Sequence, residues 1–331
     1  MVVMTDILII SPTRAEAGPL ASVIAALPEA EVVCEYIAAL TDMYEPWESH
    51  RYCLMDYTQA FREHKPKLVL LLGDRYETHA AALAAHFLRI PIAHIHGGET
   101  TTGAFDDALR HGITHMAKLH FVAHQQAYMR VVEMRKDPQT YSVHIVGAPG
   151  LDTIAQGSAK RDKKLIVVSY YPETNLPDGG HRQLRRMIKH LDQFTPDHAI
   201  FFSRVNSDPG HELITNEIEE FIDTFPTSAS WITPNTREQY LHLCEHAAVA
   251  VGNSSSLVIE CPWMGLPSVL VGDRQTGRPL APSVWSADES GTIERAIHAA
   301  MKYPQTHAPI YRGGAAPKIA KICREFVACA A

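Results

Sequence analysis

The chain has 331 residues, 46% of them apolar, enough to bury more than one core of ordinary domain size. Its formal net charge of −7 gives no overall electrostatic reason to hold nucleic acid or anionic lipid, so polyanion binding is not the expectation. The six cysteines (Cys34, Cys53, Cys244, Cys261, Cys323 and Cys329) form no CxxC pair, read mostly as small hydrophobes and suit a reduced cytoplasm.

The opening MVVMTDILIISPTR lacks a basic region and a small-residue cleavage site, and its apolar run is strand-length, so it reads as a first β-strand. No transmembrane segment is expected. Short β-branched runs then recur, each followed by helical apolar spacing: DILIIS (6–11), EVVCEYIAA (31–39), KLVLLLG (67–73), PIAHIH (91–96), LHFVAH (119–124) and SVHIVG (142–147). Strand alternating with helix predicts a parallel sheet. The Gly- and charge-rich stretch GAPGLDTIAQGSAKRDKK follows, and the alternation restarts with KLIVVSYY, AIFFSR, ASWIT, AVAVG, PSVLVG and SVWSA. The fold class expected is therefore α/β, with two doubly wound Rossmann-like domains and a central cleft: residues 1–157, residues 158–316, and a helix within 317–331 that could cross back to the first domain.

In open parallel sheets ligands sit outside the carboxyl ends of the strands. Four polar loops are placed there: SPTRAE, GDRYET, HGGETTTGAFDDALRH and GNSSSLVIE. Asp74 and Arg75 deliver a carboxylate and a guanidinium together, although a helix cap with a surface ion pair would look the same. His94, His96, Glu99, Asp106, Asp107, Arg110 and His111 crowd around Gly97 and Gly98, where glycine lets backbone approach a ligand. His94 and His96 point to one face of a strand, which raises a metal site, but Glu99 would have to bend round to join them and either ring could be a core histidine. Asp106 and Arg110 stand four apart, at helical pairing distance. GNSSS offers Asn253, Ser254, Ser255 and Ser256 ahead of the helical run LVIECPWMG, a setting that attracts phosphate; plain capping explains one serine but not three. Glu260 is placed to reach a ribose diol, and Arg274 and Arg278 supply counter-charge for a diphosphate. GxGxxG, Walker and Gly-x-Ser-x-Gly motifs are absent, against a dinucleotide dehydrogenase, an ATPase or a serine hydrolase elbow.

Taken in order, TRAE, GDRYE, AHIHGGE, GAFDDALRH, GNSSS with Glu260, and GDRQTGR resemble the hydrolysing UDP-N-acetylglucosamine 2-epimerases of the sialic-acid-pathway type, from about residue 8 to 280. The resemblance implies a GT-B architecture, no cofactor, no metal and a UDP-sugar substrate. In that family the C2 proton is removed, the nucleotide leaves to give a 2-acetamidoglucal, and water adds. Carried over by position, Arg14 would touch the nucleotide phosphates, Asp74 would be a catalytic carboxylate, and Asp106 would work with His96, which stands where many relatives carry glutamate. Ser254, Ser255 and Glu260 would hold UDP, and Arg278 would face the phosphates. In SYYPET, Tyr171 replaces the histidine found in relatives; a phenol, with an ordinary pKa near 10, cannot supply a cation at neutral pH but can donate a hydrogen bond. That departure keeps two further readings open. One is a GT-B glycosyltransferase passing the sugar to a glycan, a small molecule or a modified DNA base, the only case in which nucleic acid would be a partner. The other is a silent nucleotide-sugar sensor. The resemblance also implies a homo-oligomer, for which the helices of the first half could provide an interface.

Overall fold

The computed structural model of the chain describes residues 6–12, 14–34, 46–161, 164–206, 208–287, 293–304 and 308–329. The end of the second expected strand (35–39), Thr13 and the side chain of Arg14 lie outside the described residues. Two compact units emerge: Met1–Glu99 with Asp106–Thr153 and Tyr311–Ala331, and Ile154–Ile310 with Thr100–Phe105.

The first unit is built on strands β1 (Ile7–Ser11), β2 (Glu31–Cys34), β3 (Leu68–Leu72), β4 (Ile92–Ile95), β5 (Leu119–Val122) and β6 (Ser142–Ile145). They form a parallel sheet in the order β2-β1-β3-β4-β5-β6. Because side chains alternate along a strand, Ile7 and Ile9 face one layer while Leu8 and Ile10 face the other, and both sets are buried. This is why the strands are apolar throughout rather than alternating. One layer contains α1 (Arg14–Ala26) and a helix from the C-terminal segment, here α11 (Ala316–Cys329). The other contains α2 (Pro46–His64) and α3 (Tyr76–Phe87). On α2, Ser49, Cys53, Tyr57 and Phe61 recur every fourth residue and form its buried stripe. Two more helices complete the unit, α4 (Asp106–Met116) and α5 (Gln125–Met134).

The return of the chain to this unit is secured by Asp152. Its Oδ1 accepts from the amides of Gly314 (2.6 Å) and Ala315 (3.1 Å), and its Oδ2 from that of Ala316 (2.7 Å). A carboxylate thus satisfies amides that a helix start leaves without intrahelical partners, and Ile319, Cys323 and Val327 of α11 then share a core with Leu20 and Val23 of α1 and Leu27 just beyond it.

The second unit repeats the plan with β7 (Leu165–Ser169), β8 (Ala199–Phe202), β9 (Ala229–Trp231), β10 (Val249–Gly252), β11 (Ser268–Val271) and β12 (Val284–Ala287). All pairings are parallel, in the order β12-β11-β10-β7-β8-β9. Helices α6 (His181–Leu191), α7 (His211–Thr224), α8 (Arg237–His246) and the short α9 (Glu260–Met264) connect them, and α10 (Ile293–Lys302) follows β12. Leu184, Met187 and Leu191 of α6 and Ile293, Ile297 and Ala300 of α10 close one core with Ile166, Val168, Val249, Val251, Val269 and Val271. Among the described residues no helix is long and apolar enough to cross a membrane.

Candidate active site

Each sheet has one place where strand order reverses, and there the loops at the carboxyl ends diverge and leave room for a ligand. In the first unit it lies between β1 and β3. Gly73, at φ +86°, turns the chain out of β3 and delivers Asp74. His94 fixes that turn from beneath: its Nε2 lies 2.8 Å from the Gly73 carbonyl. Burial pushes the His94 pKa down to about 4, against the pull of that carbonyl. The ring is therefore neutral at pH 7, and since a carbonyl only accepts, its proton is on Nε2. His94 is a core histidine with no exposed surface, and among the described residues no three His, Cys, Asp or Glu side chains gather as a metal-binding group.

Asp74 is ion-paired with Arg110, whose other branch reaches Asp107 Oδ1 at 2.8 Å. The guanidinium is buried while Asp74 keeps about a quarter of its side-chain surface exposed. A fixed cation thus holds a presented carboxylate. Asp107, three residues before Arg110, is thus one of its partners. Asp107 Oδ2 also lies 3.5 Å from His111 Nε2, and Asp106, half-buried, is the first residue of α4. Arg75 is turned to the fully buried Glu77, with Nε and one terminal nitrogen each 3.2 Å from its carboxylate oxygens.

His96 follows β4 at φ +63°, a left-handed conformation that costs a non-glycine residue on the order of 1–3 kcal/mol and is common at functional sites. Its amide donates to Phe121 O at 3.0 Å. Glu99 lies in the interior, 1% exposed, accepting from the Tyr311 hydroxyl at 2.9 Å and 3.0 Å from His124 Nε2.

In the second unit the order reverses between β7 and β10. Gly252, at φ +138°, comes so close to β7 that a Cβ there would stand 2.0 Å from Ser169 O. Beyond it, Asn253 clasps the other loop: its Oδ1 accepts from the Tyr171 amide at 2.7 Å and its Nδ2 donates to Tyr171 O at 2.8 Å. The Tyr171 ring lies under the Arg274 guanidinium, 5.5 Å from its centroid, and its hydroxyl is 3.4 Å from Ser203 Oγ. Arg274 Nε donates to Pro172 O at 3.2 Å, a terminal nitrogen is 3.7 Å from Asp208, and Gln275 Nε2 donates to Asn253 O at 2.9 Å. Glu173, fully buried and with its pKa raised chiefly by that burial, accepts from the Asp273 amide at 3.1 Å. The loops carrying Tyr171, Asn253 and Arg274 are thus one hydrogen-bonded assembly.

GNSSS does not open the long helix expected from LVIECPWMG. A single 3-10 turn (Ser255–Leu257) precedes the five-residue α9, because Pro262 and Gly265 stop it. Two of the three hydroxyls serve the turn: Ser254 Oγ accepts from the Ser256 amide (3.3 Å) and hydroxyl (3.0 Å), and Ser256 Oγ is 2.5 Å from the Tyr240 hydroxyl. Ser255 is the half-buried one of the three, without such a bond among the described residues. Glu260 pairs with Arg237 at 3.4 Å; burial pushes its carboxyl up while the charges of Arg237 and Arg278 pull it down. The Arg278 amide donates to Gln275 O at 3.2 Å. The sequence reading had overlooked Arg237, Glu173 and the pairing role of Asp107. Asp107 had a visible signal in its i to i+3 spacing from Arg110; Arg237 and Glu260, 23 residues apart, had none.

Residues 42–324 match the family model described as UDP-N-acetylglucosamine 2-epimerase. The chain is 27% identical over 291 residues to the polysialic acid biosynthesis protein P7 of Escherichia coli, covering 83% of this chain and 74% of that protein. It is 34% identical over 247 residues to the hydrolysing UDP-N,N'-diacetylbacillosamine 2-epimerase of Legionella pneumophila, covering 71% of this chain and 64% of that relative. The crystal structure of the Neisseria meningitidis UDP-GlcNAc 2-epimerase bound to UDP-GlcNAc superposes with a TM-score of 0.78 at 18% identity, over 98% of this chain and 99% of that one. At that identity the likeness shows the fold.

Proposed function

Because the chain belongs to the UDP-N-acetylglucosamine 2-epimerase family, we propose that it is a hydrolysing NDP-N-acetylhexosamine 2-epimerase, releasing the free 2-epimer, N-acetylmannosamine from UDP-N-acetylglucosamine, and UDP. The observation that carries this reading is the Asp74–Arg110–Asp107 constellation at the carboxyl end of β3, with Asp106 opening the adjoining helix. It supplies carboxylates held in place without being neutralised on every side, which is what proton transfer at carbon requires.

A base takes the C2 proton, the C1–O bond breaks with its electron pair leaving on UDP, and a 2-acetamidoglucal forms. Water then adds its hydroxyl to C1, its second proton going to a base, while an acid returns a proton to C2 on the opposite face. Asp74, Asp106 and either His96 or Glu99 are the groups assigned to these transfers, with Tyr171 as a hydrogen-bond donor to the departing diphosphate. Ser254, Ser255, Asn253, Glu260, Arg274 and Arg278 are assigned to UDP, with Arg14, Arg75 and His111 as further polar contacts. The named relatives favour this chemistry over sugar transfer to an acceptor, and we assign the sugar to one of the two in their names, N-acetylglucosamine or N,N'-diacetylbacillosamine. We also assign the protein to the cytoplasm as a homo-oligomer, with the exposed stripe of α2 facing a second copy.

Proton NMR in D₂O with each UDP-sugar tests the reading. Deuterium at C2 with free 2-epimer and UDP is expected; UDP release without C2 exchange would mean hydrolysis or transfer at C1. Asp74→Asn and Asp106→Asn are each expected to lower turnover by about 10²- to 10⁴-fold while UDP still binds. Loss of UDP binding in those two variants would remove them from proton chemistry.

A further inference from the structure

Glu99 is the buried carboxylate nearest in sequence to the turn at His96, yet with 1% exposure it has no open path to a sugar. Its Oε2 is engaged by a hydrogen bond, and its Oε1 has a histidine nitrogen alongside without hydrogen-bond alignment. Tyr311, itself fully buried, donates its hydroxyl to Oε2 at 2.9 Å, and His124 Nε2 stands 3.0 Å from Oε1. A second contact orients the His124 ring. Its Nδ1 accepts the Ala127 amide at 3.2 Å as the cap of α5, which leaves Nε2 as the ring atom turned toward Glu99. The His124 and Tyr311 rings meet edge to face, with centroids 5.0 Å apart.

The same helix grips the turn that leads to Glu99. A Cβ at Gly98, where φ is +75°, would stand 2.4 Å from Ala127 O and 2.7 Å from Val131 Cγ2, and Arg130 donates to Gly98 O. The segment from His96 to Glu99 is therefore held by α5 along its backbone and at its end by the Tyr311 hydrogen bond, with the His124 ring packed beside it. His96, in its strained left-handed conformation, depends on such surroundings to persist.

We propose that Glu99, His124 and Tyr311 form a positioning clamp that sets the conformation and ring orientation of His96, and that Glu99 itself moves no proton to or from the sugar. This rests on the epimerase reading and narrows it, leaving His96 as the proton-transfer group of this loop.

The test uses Glu99→Gln, Tyr311→Phe and the double variant, read in two ways. In turnover, Tyr311→Phe and Glu99→Gln are each expected to lower kcat about tenfold to a hundredfold, the range that a misplaced reacting group costs, with KM for the UDP-sugar within about twofold. The double variant is expected to be no slower than Glu99→Gln, because both remove one unit. Complete loss of C2 exchange in Glu99→Gln beside an unimpaired Tyr311→Phe would overturn the proposal and make Glu99 a direct proton carrier. The second readout needs no turnover: the ring carbon-proton NMR signal of His96, assigned by His96→Gln, is expected to shift in both single variants. An unmoved His96 signal overturns the clamp, whereas a shifted signal in a protein that turns over no UDP-sugar supports the clamp and defeats the epimerase reading instead.

Discussion

His94 shows how one buried side chain ties stability to pH. Its pKa, ordinarily near 6.5, is pushed down to about 4 by burial, and that of His120 to about 3 for the same reason. Between pH 6.5 and 4 the unfolded chain therefore binds a proton that the folded chain refuses, so the His94 contribution is intact above about 6.5 and is lost as pH falls toward 4. For His94, the displacement from 6.5 to about 4 corresponds to about 3 kcal/mol. Wild type is expected to lose more thermal stability between pH 7.5 and 5 than His94→Gln, which keeps an N–H donor for Gly73; equal losses would show that His94 is not the group responsible. At Gly252 the constraint is steric. With Ser169 O at 2.0 Å from any added Cβ, Gly252→Ala is expected to destabilise by about 3 kcal/mol or more in a denaturant melt, by forcing β7 and β10 apart. A loss below about 1 kcal/mol would mean that the strands yield easily. In the sequence this glycine looked like part of a phosphate loop, and what demands it is a neighbouring carbonyl that no linear reading displays. The polar character of the loops was legible; which hydroxyls and carboxylates are spent on one another, as with Ser254 and Ser256 or Arg75 and Glu77, was not.

At the scale of elements, α2 carries a testable surface. Opposite its buried stripe, Arg51, Met55, Gln59 and Arg62 are exposed at three- and four-residue spacing, and Trp47 is 66% and Met55 64% exposed. Antiparallel pairing of α2 with its copy about a two-fold axis at Met55 would set residues seven before and seven after that centre against each other. Those residues are Glu48 and Arg62, so the two charges match twice across one symmetric contact. Arg62→Glu is expected to convert an oligomer to a smaller species in light scattering, and adding Glu48→Arg to restore it. A mass unchanged by Arg62→Glu would place any oligomer contact elsewhere. The inner strands, such as β1, β3 and β7, were legible because parallel strands buried on both faces announce themselves as apolar runs ending in polar loops. The helix after GNSSS misled because its apolar spacing is genuine while Pro262 and Gly265, close together, confine it to five residues.

For the whole molecule, the proposed division of labour puts nucleotide binding in the second unit, and the tryptophans make that measurable. Trp231, Trp263 and Trp285 belong to the second unit, and Trp231 and Trp285 pack against its core, whereas Trp47 alone lies in the first. In Trp47→Phe protein, tryptophan emission therefore follows the unfolding of the second unit. Two units with separate cores need not melt together, so a ligand stabilises first the unit that holds it. UDP at a hundredfold its Kd adds about 2.7 kcal/mol to that unit, which at roughly 2–4 °C per kcal/mol raises its midpoint by several degrees. The shift is expected to persist when Asp74→Asn is added and to shrink when Ser255→Ala is added at the same UDP concentration, since the hydroxyl of Ser255 is the one not spent on the turn. If Asp74→Asn abolished the shift while Ser255→Ala left it whole, the nucleotide would be gripped chiefly by the first unit. The carboxylates around Arg110 would then have to be reassigned from proton transfer to binding.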